Sequence, residues 1–351
     1  MKKAIIYMVL IGWGLAACEN QPMKEFDDYA VKAVYFPYQL PLRTLSMGED
    51  RIDNSLDKEG QFDIGISIGG MYENKWDWTA GYMVDNSLTE NVFTDTEIPL
   101  PILPLPQEYY TLEPQNQTTI PKGLYNGMIR VQLTDAFFED SLSLTGRYVV
   151  PLRLTDTSAD RLLTGEPIPS VTDPDPRITG HWASNKSPKD WVMFGIKYVN
   201  PYHGTYLHRG RDIMVETATG NPVDTVVFRS RHVEFDLLIK MTSIGRNKVV
   251  SNGLGNRTGE DFSMTLEFDN HTGAAGDITI SPAAGSVYSV SGNGKYFDIA
   301  SSSEQWTGMT WQSMYLNYSY EEEGITHHVV DTLVFRDRGI KFEENAIQVI
   351  P

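Results

Sequence analysis

Thiols, sustained helical periodicity and net positive charge are what this 351-residue sequence has least of. Cys18 is its one cysteine, so the rest of the chain can form neither a disulfide framework nor a Cys-based metal site or thiol nucleophile. Its stability must come from burial. With 46 acidic against 29 basic residues the net charge is −17, which repels phosphate backbones and anionic headgroups and argues against nucleic acid as a partner. No segment before residue 200 keeps a 3.6-residue apolar period for a helix of ordinary length, and only Asp135 to Ser141 reads as a short helix. The longest apolar run, Ala4 to Leu15, is shorter than the roughly 20 residues a helix needs to cross a bilayer.

That run fits a different role. Lys2 and Lys3 precede it and Leu15-Ala16-Ala17-Cys18 closes it, the pattern of a secretory signal with small residues before its cleavage site. Cys18 stands where the bacterial lipobox places the residue that receives diacylglycerol and becomes the new N-terminus; the alternative is a stray or buried cysteine after an ordinary signal. The expectation is therefore a lipoprotein signal peptide over 1–17, a lipidated and palmitoylated Cys18, and a polar, acidic tether over 18–30. Such a chain is anchored in the outer membrane by its lipid and exposed at the cell surface. Glu25, Asp27 and Asp28 loosely resemble a surface-export signal, displaced from Cys18.

The length suits two domains of roughly 150 residues. Phe62, Ile64, Ile66 and Ile68 alternate as on a half-buried strand, and Val31 to Phe36, stopped by Pro37, reads as an edge strand. Further short strands fall at Gly81 to Val84, Tyr109 to Leu112, Gly127 to Thr134, Gly146 to Leu154 and Asp190 to Val199, separated by Pro, Gly and Asn/Asp turns. This spacing predicts a β-sandwich over 31–200, with the proline-rich stretch 162–188 as a long loop inside it. After Asn200-Pro201 the strands become longer and more regular: Gly204 to Arg209, Asp224 to Arg229, Val233 to Ile244, Phe262 to Phe268, Asp277 to Ile280, Tyr288 to Ile299, Met314 to Tyr320 and Val329 to Arg336. They predict an antiparallel barrel over 201–351, with a second sandwich as the alternative. An eight-stranded barrel can hold one small ligand.

Several stretches carry a family resemblance: Tyr35-Phe36-Pro37-Tyr38-Gln39 with Arg43-Thr44-Leu45, the run Val131 to Phe138, Tyr148 to Arg153, Trp191 to Asn200, and the closing Asp331 to Gly339. Together with the lipobox they resemble the two-domain surface lipoproteins encoded beside Sus-type glycan-uptake systems in Bacteroidetes. The resemblance implies an all-β chain, an immunoglobulin-like β-sandwich followed by a lipocalin-like antiparallel β-barrel. Its first half is similar to the domain that precedes the catalytic module of some surface endo-β-N-acetylglucosaminidases. It supplies no set of binding residues.

Catalytic patterns are missing. No Asp-x-x-Asp-x-Asp-x-Glu run supplies a glycosidase acid with its helper, for Asp53 and Asp57 lack the other members, and no serine sits in Gly-x-Ser-x-Gly. Glu321-Glu322-Glu323 before Gly324 reads as a solvated turn. His327 and His328 point to opposite faces of a strand and His203 and His208 differ in parity, so neither pair forms a metal site locally. No cofactor and no metal are expected. Arg336 and Arg338 share a strand face with Asp337 opposite, a pattern for salt-bridged closure of the barrel or for a ligand-binding arginine. Asp140-Ser141-Leu142, Asp224-Thr225-Val226 and Asp331-Thr332-Leu333 resemble Bacteroidetes O-glycosylation triplets.

The aromatics carry the functional expectation. Trp76 and Trp78 lie on one face if extended, Trp306 and Trp311 flank Gly308, and Trp182 lies in the proline-rich loop. Exposed rings of this kind stack on the C–H faces of sugars while Asp, Asn and Arg hydrogen-bond the hydroxyls. Trp306, Trp311 and Trp182 are expected to be exposed and Trp191 to be core. The composite reading is a non-catalytic surface lipoprotein that captures or presents glycans, beside other surface lipoproteins or a TonB-dependent transporter. The alternatives are an adhesin or structural subunit without a sugar site, a barrel carrying a small apolar ligand, and a hydrolase without a visible signature.

Overall fold

The computed structural model describes residues 28–50 and 52–350; the signal run and Cys18 lie outside them. Among the described residues strands dominate, and no helix is long and apolar enough to cross a membrane.

The first half is a two-sheet sandwich. One sheet orders the strands Arg161–Leu162, Ala33–Tyr35, Gln61–Gly69, Asn126–Leu133 and Tyr110–Glu113. The facing sheet orders Pro41–Ser46, Trp191–Val199, Tyr148–Thr157, Trp78–Val84 and Gln117–Ile120. The alternation read from sequence is what closes them: Phe62, Ile64, Ile66 and Ile68 are all buried and meet Val150, Leu152, Val192 and Ile196 from the other sheet. Trp191 and Met193 have the opposite parity and pack outward against Leu88, Val92 and Ile102 in a smaller cluster. Trp191 is core, as its place within a strand implies.

The proline-rich loop is held to this domain by Arg177. Its guanidinium donates to the Leu88 and Glu90 carbonyls at 2.9 and 2.7 Å and is oriented by Asp175. At the other side of the sandwich, Ala33–Tyr35, with Arg161–Leu162 on its outer edge, pairs with only the last three residues of Gln61–Gly69, namely Ser67, Ile68 and Gly69. The chain then turns at Pro37 and crosses to the second sheet as Pro41–Ser46, so among the described residues the first half of Gln61–Gly69 has Asn126–Leu133 as its only strand neighbour.

The second half is a closed eight-stranded antiparallel barrel. Around it run Gly204–Glu216, Leu237–Ser243, Lys248–Ser251, Met264–Phe268, Gly276–Pro282, Ser291–Phe297, Ser313–Glu322 and Ile325–Asp337, the last pairing back to the first. The far half of Gly204–Glu216 stays paired with Ile325–Asp337 and takes Pro222–Phe228 on its other edge, beyond the reach of Leu237–Ser243. Val233 to Ile244, expected as one strand, begins as a 3-10 turn over Val233–Phe235 and becomes a strand only at Leu237.

The expected extent of the barrel, 201–351, fails at its C-terminal end. After Asp337 the chain returns to the sandwich, where Glu343–Glu344 pairs with Pro41 and Leu42 and Ile347–Val349 pairs with Val92 to Thr94. Gly195 permits this return, because a Cβ there would fall 2.2 Å from the Asn345 side-chain nitrogen.

Arg338 fastens the junction. It is 4% exposed and donates to the carbonyls of Glu49, Pro201 and His203 at 2.8, 2.9 and 2.7 Å. The expected salt-bridged closure is therefore replaced at Arg338 by hydrogen bonds to backbone oxygens of both domains, while Arg336 keeps a contact with Asp337 at 3.5 Å. Arg246 of the barrel adds ion pairs to Asp135 and Glu139 of the short helix Asp135–Glu139, at 2.7 and 2.5 Å.

Candidate functional site

The barrel interior holds the densest polar chemistry of the described residues. Along the full-length pairing of Gly204–Glu216 with Ile325–Asp337, the inward face presents His208 and Asp212 from one strand and His327 and Asp331 from the other. His208 Nε2 lies 3.0 Å from Asp331 Oδ1 without the alignment of a hydrogen bond. The Tyr318 hydroxyl donates to Asp331 Oδ2 at 2.7 Å and accepts from the Gly255 N–H at 2.6 Å. Gly210 stands opposite Asp331, where a Cβ would meet the carboxylate at 2.4 Å.

One turn of side chains further out, His327 Nδ1 meets Asp212 Oδ2 at 2.6 Å and its ring stacks on Tyr320 at 4.4 Å. Glu322 receives Arg257 and the Tyr288 hydroxyl, each at 2.5 Å. It is thus part of a strand-borne ion pair rather than a solvated turn; the turn itself is Glu323-Gly324, both with positive φ. The Arg257 hydrogen bond holds the Glu322 carboxyl at about 2. Burial first, then Asp331, pushes the Tyr318 phenol well above its ordinary value.

Most of these groups pair with one another, while both His208 ring nitrogens, Asp212 Oδ1 and Asp331 Oδ1 are buried with no hydrogen-bond partner among the described residues. Tyr206, Met314, Leu333 and Phe335 fill the remaining interior, each fully buried, and the Gly253–Leu254 hairpin covers one end with Leu254 at 0% exposure. Among the described residues no set of three His, Asp or Glu side chains is placed to hold a metal ion. Asp331 is buried, so the third O-glycosylation triplet has its acid inside the barrel.

The tryptophans do not form one surface. Trp311, expected to be exposed, is 5% exposed, because Thr307 and Gly308 make a positive-φ turn that folds Trp306 and Trp311 together, ring centroids 5.7 Å apart, with Trp311 over Phe335. Gly308 serves a tight turn, not an open loop. Trp306 is half-buried, its Nε1–H on the Phe335 carbonyl at 2.9 Å. Trp182 is also half-buried, donating to the Asp175 carbonyl at 2.9 Å. The strand begins only at Trp78, so Trp76 and Trp78 do not share a face: Trp78 packs on the sandwich core and donates to Asn74 at 2.8 Å, while Trp76 remains 67% exposed.

A groove of about 520 Å³ lies instead on the sandwich, where the crossover leaves half of Gln61–Gly69 without a second neighbour. That volume is within the range of small-molecule sites. Its apolar lining is Phe36, Ile64, Val192 and Phe194. The returning tail supplies one wall as Ile340, Lys341 and Phe342, and Tyr38 lies opposite. Tyr38 and Phe342 are 58% and 72% exposed with centroids 6.0 Å apart and planes at 57°.

Polar groups converge on the same groove. Arg43 Nη2 is held by Asp57 Oδ1 at 2.5 Å, and Asp57 in turn accepts the Ser46 N–H at 3.0 Å. Asp57, weighed in the sequence as an orphan acid, is a buried support for Arg43. The Ser67 hydroxyl donates to Asn126 Oδ1 at 2.6 Å, so the Asn126 amide hydrogens have no partner among the described residues. Sequence reasoning missed this site: its tail wall comes from some 300 residues away, although Tyr38 between Pro37 and Pro41 marks a large ring on a strand crossover.

Comparison with known proteins agrees with the two-part architecture. A family model for an N-terminal domain matches residues 26–161, and a domain of unknown function, DUF5627, matches residues 201–339. No curated protein matches. A crystal structure of a Bacteroides ovatus protein of unknown function has 30% identity and a TM-score of 0.79, covering 92% of this chain and 100% of that one. A second B. ovatus protein of unknown function has 13% identity and a TM-score of 0.38 over 91% of this chain and 99% of its own. A two-domain protein with unknown function from Bacteroides fragilis has 13% identity and a TM-score of 0.26, covering 60% and 84%. The identity to the first B. ovatus protein over its whole length places this chain: it belongs to that Bacteroidetes family of two-domain proteins, with DUF5627 as its barrel.

Proposed function

We propose that the protein is a non-catalytic surface lipoprotein that captures glycans for a Sus-type uptake system, and that the sandwich groove is its sugar site. The observation that carries this reading is the pair of exposed rings, Tyr38 and Phe342, set 6.0 Å apart beside Arg43, Ser67 and Asn126. Aromatic rings take the apolar face of a pyranose, and the neighbouring donors and acceptors take its hydroxyls. The tryptophans named from sequence are secondary to this groove, since all but Trp76 are committed to packing or to backbone hydrogen bonds. The barrel then serves as a rigid body that delivers the tail wall.

Lipid on Cys18 tethers the particle to the outer membrane, within reach of other surface lipoproteins or a TonB-dependent transporter. Affinity electrophoresis against a panel of plant and host polysaccharides tests the site. Retardation by at least one glycan, lost in Tyr38→Ala and Phe342→Ala but kept in Trp76→Ala, supports it. No retardation in any gel returns the protein to the adhesin or structural-subunit reading.

A further inference from the structure

The sandwich groove departs from the rest of the molecule in charge. The chain carries 46 acidic and 29 basic residues, yet no Asp or Glu lines the groove, whereas Arg43 and Lys341 both do. The carboxylates close by are already engaged, Asp57 with Arg43 itself and Glu343 with Lys197. Asp57 takes one amino group of Arg43, whose Nε and Nη1 make no hydrogen bond among the described residues and whose side chain is 44% exposed. Glu343, two residues along the tail from Lys341, is drawn to Lys197 at 2.5 Å. Lys341 itself is exposed and has no acidic partner among the described residues.

Resting on the sugar-site reading above, we infer that the groove selects acidic sugars: a carboxylate-bearing ring stacks against Tyr38 and Phe342 while Arg43 and Lys341 receive its anion. Arg43 is suited to this because Asp57 fixes its planar fork and a carboxylate can accept from the remaining N–H groups. Lys341 adds a second positive point on the tail wall. The strongly negative chain repels polyanions elsewhere on its surface, so a uronate polymer is retained only where cations are locally concentrated.

Affinity electrophoresis of the full chain in gels containing polygalacturonate, or neutral galactomannan at equal mass, tests the inference. Retardation in polygalacturonate should exceed that in galactomannan, weaken as salt is raised toward about 0.5 M, and fall about tenfold in Lys341→Glu while Lys341→Arg retains it. An unchanged thermal unfolding curve for Lys341→Glu, whose side chain is exposed, separates lost binding from lost fold. Equal or preferential retardation in galactomannan, or indifference to Lys341→Glu, overturns the acidic-sugar inference while leaving a sugar site in place. Absence of retardation in these gels and throughout the wider glycan panel overturns both readings together.

Discussion

The barrel and the sandwich handle polar groups in opposite ways. Inside the barrel, His208, Asp331 and Tyr318, and beyond them His327, Asp212, Glu322 and Arg257, are brought together from different strands and face one another rather than an open cavity. In the sandwich the central core is almost wholly apolar, and the free donors lie at its open side beside rings that pack on little else. An eight-stranded barrel has room for either side chains or a small ligand. Here side chains take that room, and an interrupted strand pairing opens a ligand-sized groove in the sandwich. Where a fold could bind and where a sequence leaves groups free to bind are separate questions.

The sharpest way to break this contrast is Asp331→Ala. If the barrel network is structural, removing the carboxylate strands the buried His208 and Tyr318, and stability falls by about 3 to 5 kcal/mol in chemical denaturation. Glycan retention by the folded fraction stays as it was. A variant of unaltered stability that lost ligand binding would relocate function to the barrel.

The junction gives the next effect. Burial, helped by the Arg338 charge, lowers the His203 pKa from 6.5 to about 4. The unfolded chain therefore takes up this proton first, so stability is complete above about pH 6.5 and declines as the pH falls toward 4, by up to about 3 kcal/mol. Glu322, depressed from 4.5 to about 2 chiefly by Arg257, contributes above pH 4.5 and is lost between there and pH 2. Denaturation midpoints across this range check both steps, and His203→Gln should flatten the upper one.

A smaller effect isolates the tail. Gly195→Val puts a side chain where Asn345 lies and should cost about 1 to 3 kcal/mol as the tail is displaced. Because Phe342 follows the tail, sugar retention should fall with it; intact retention would mean that the tail is not a wall of the site. The smallest is Trp76→Ala, expected within about 0.5 kcal/mol of the parent and with unchanged binding, since the ring is 67% exposed and outside the groove lining.

The sequence was most readable where a local period decides the outcome. Phe62 to Ile68 announced its buried face, and the strand-turn spacing after Asn200 announced the barrel. It was least readable where distant segments meet. Nothing near Glu343–Glu344 says that it pairs with Pro41 and Leu42, and the convergence of His208 with Asp331 depends on a register between strands more than 100 residues apart. Trp311 shows a third limit: a glycine beside an aromatic marks a turn equally well whether the ring is flung out or folded under. Exposed Tyr38 and Phe342 became a pair only through the returning tail.

A crystal structure of the protein with an oligosaccharide that it retains tests the central claim most directly. The account predicts a sugar ring within about 4 Å of Tyr38 and Phe342, with Arg43 on its polar edge. Density for the sugar inside the barrel, or against Trp306 with the sandwich groove empty, would contradict it.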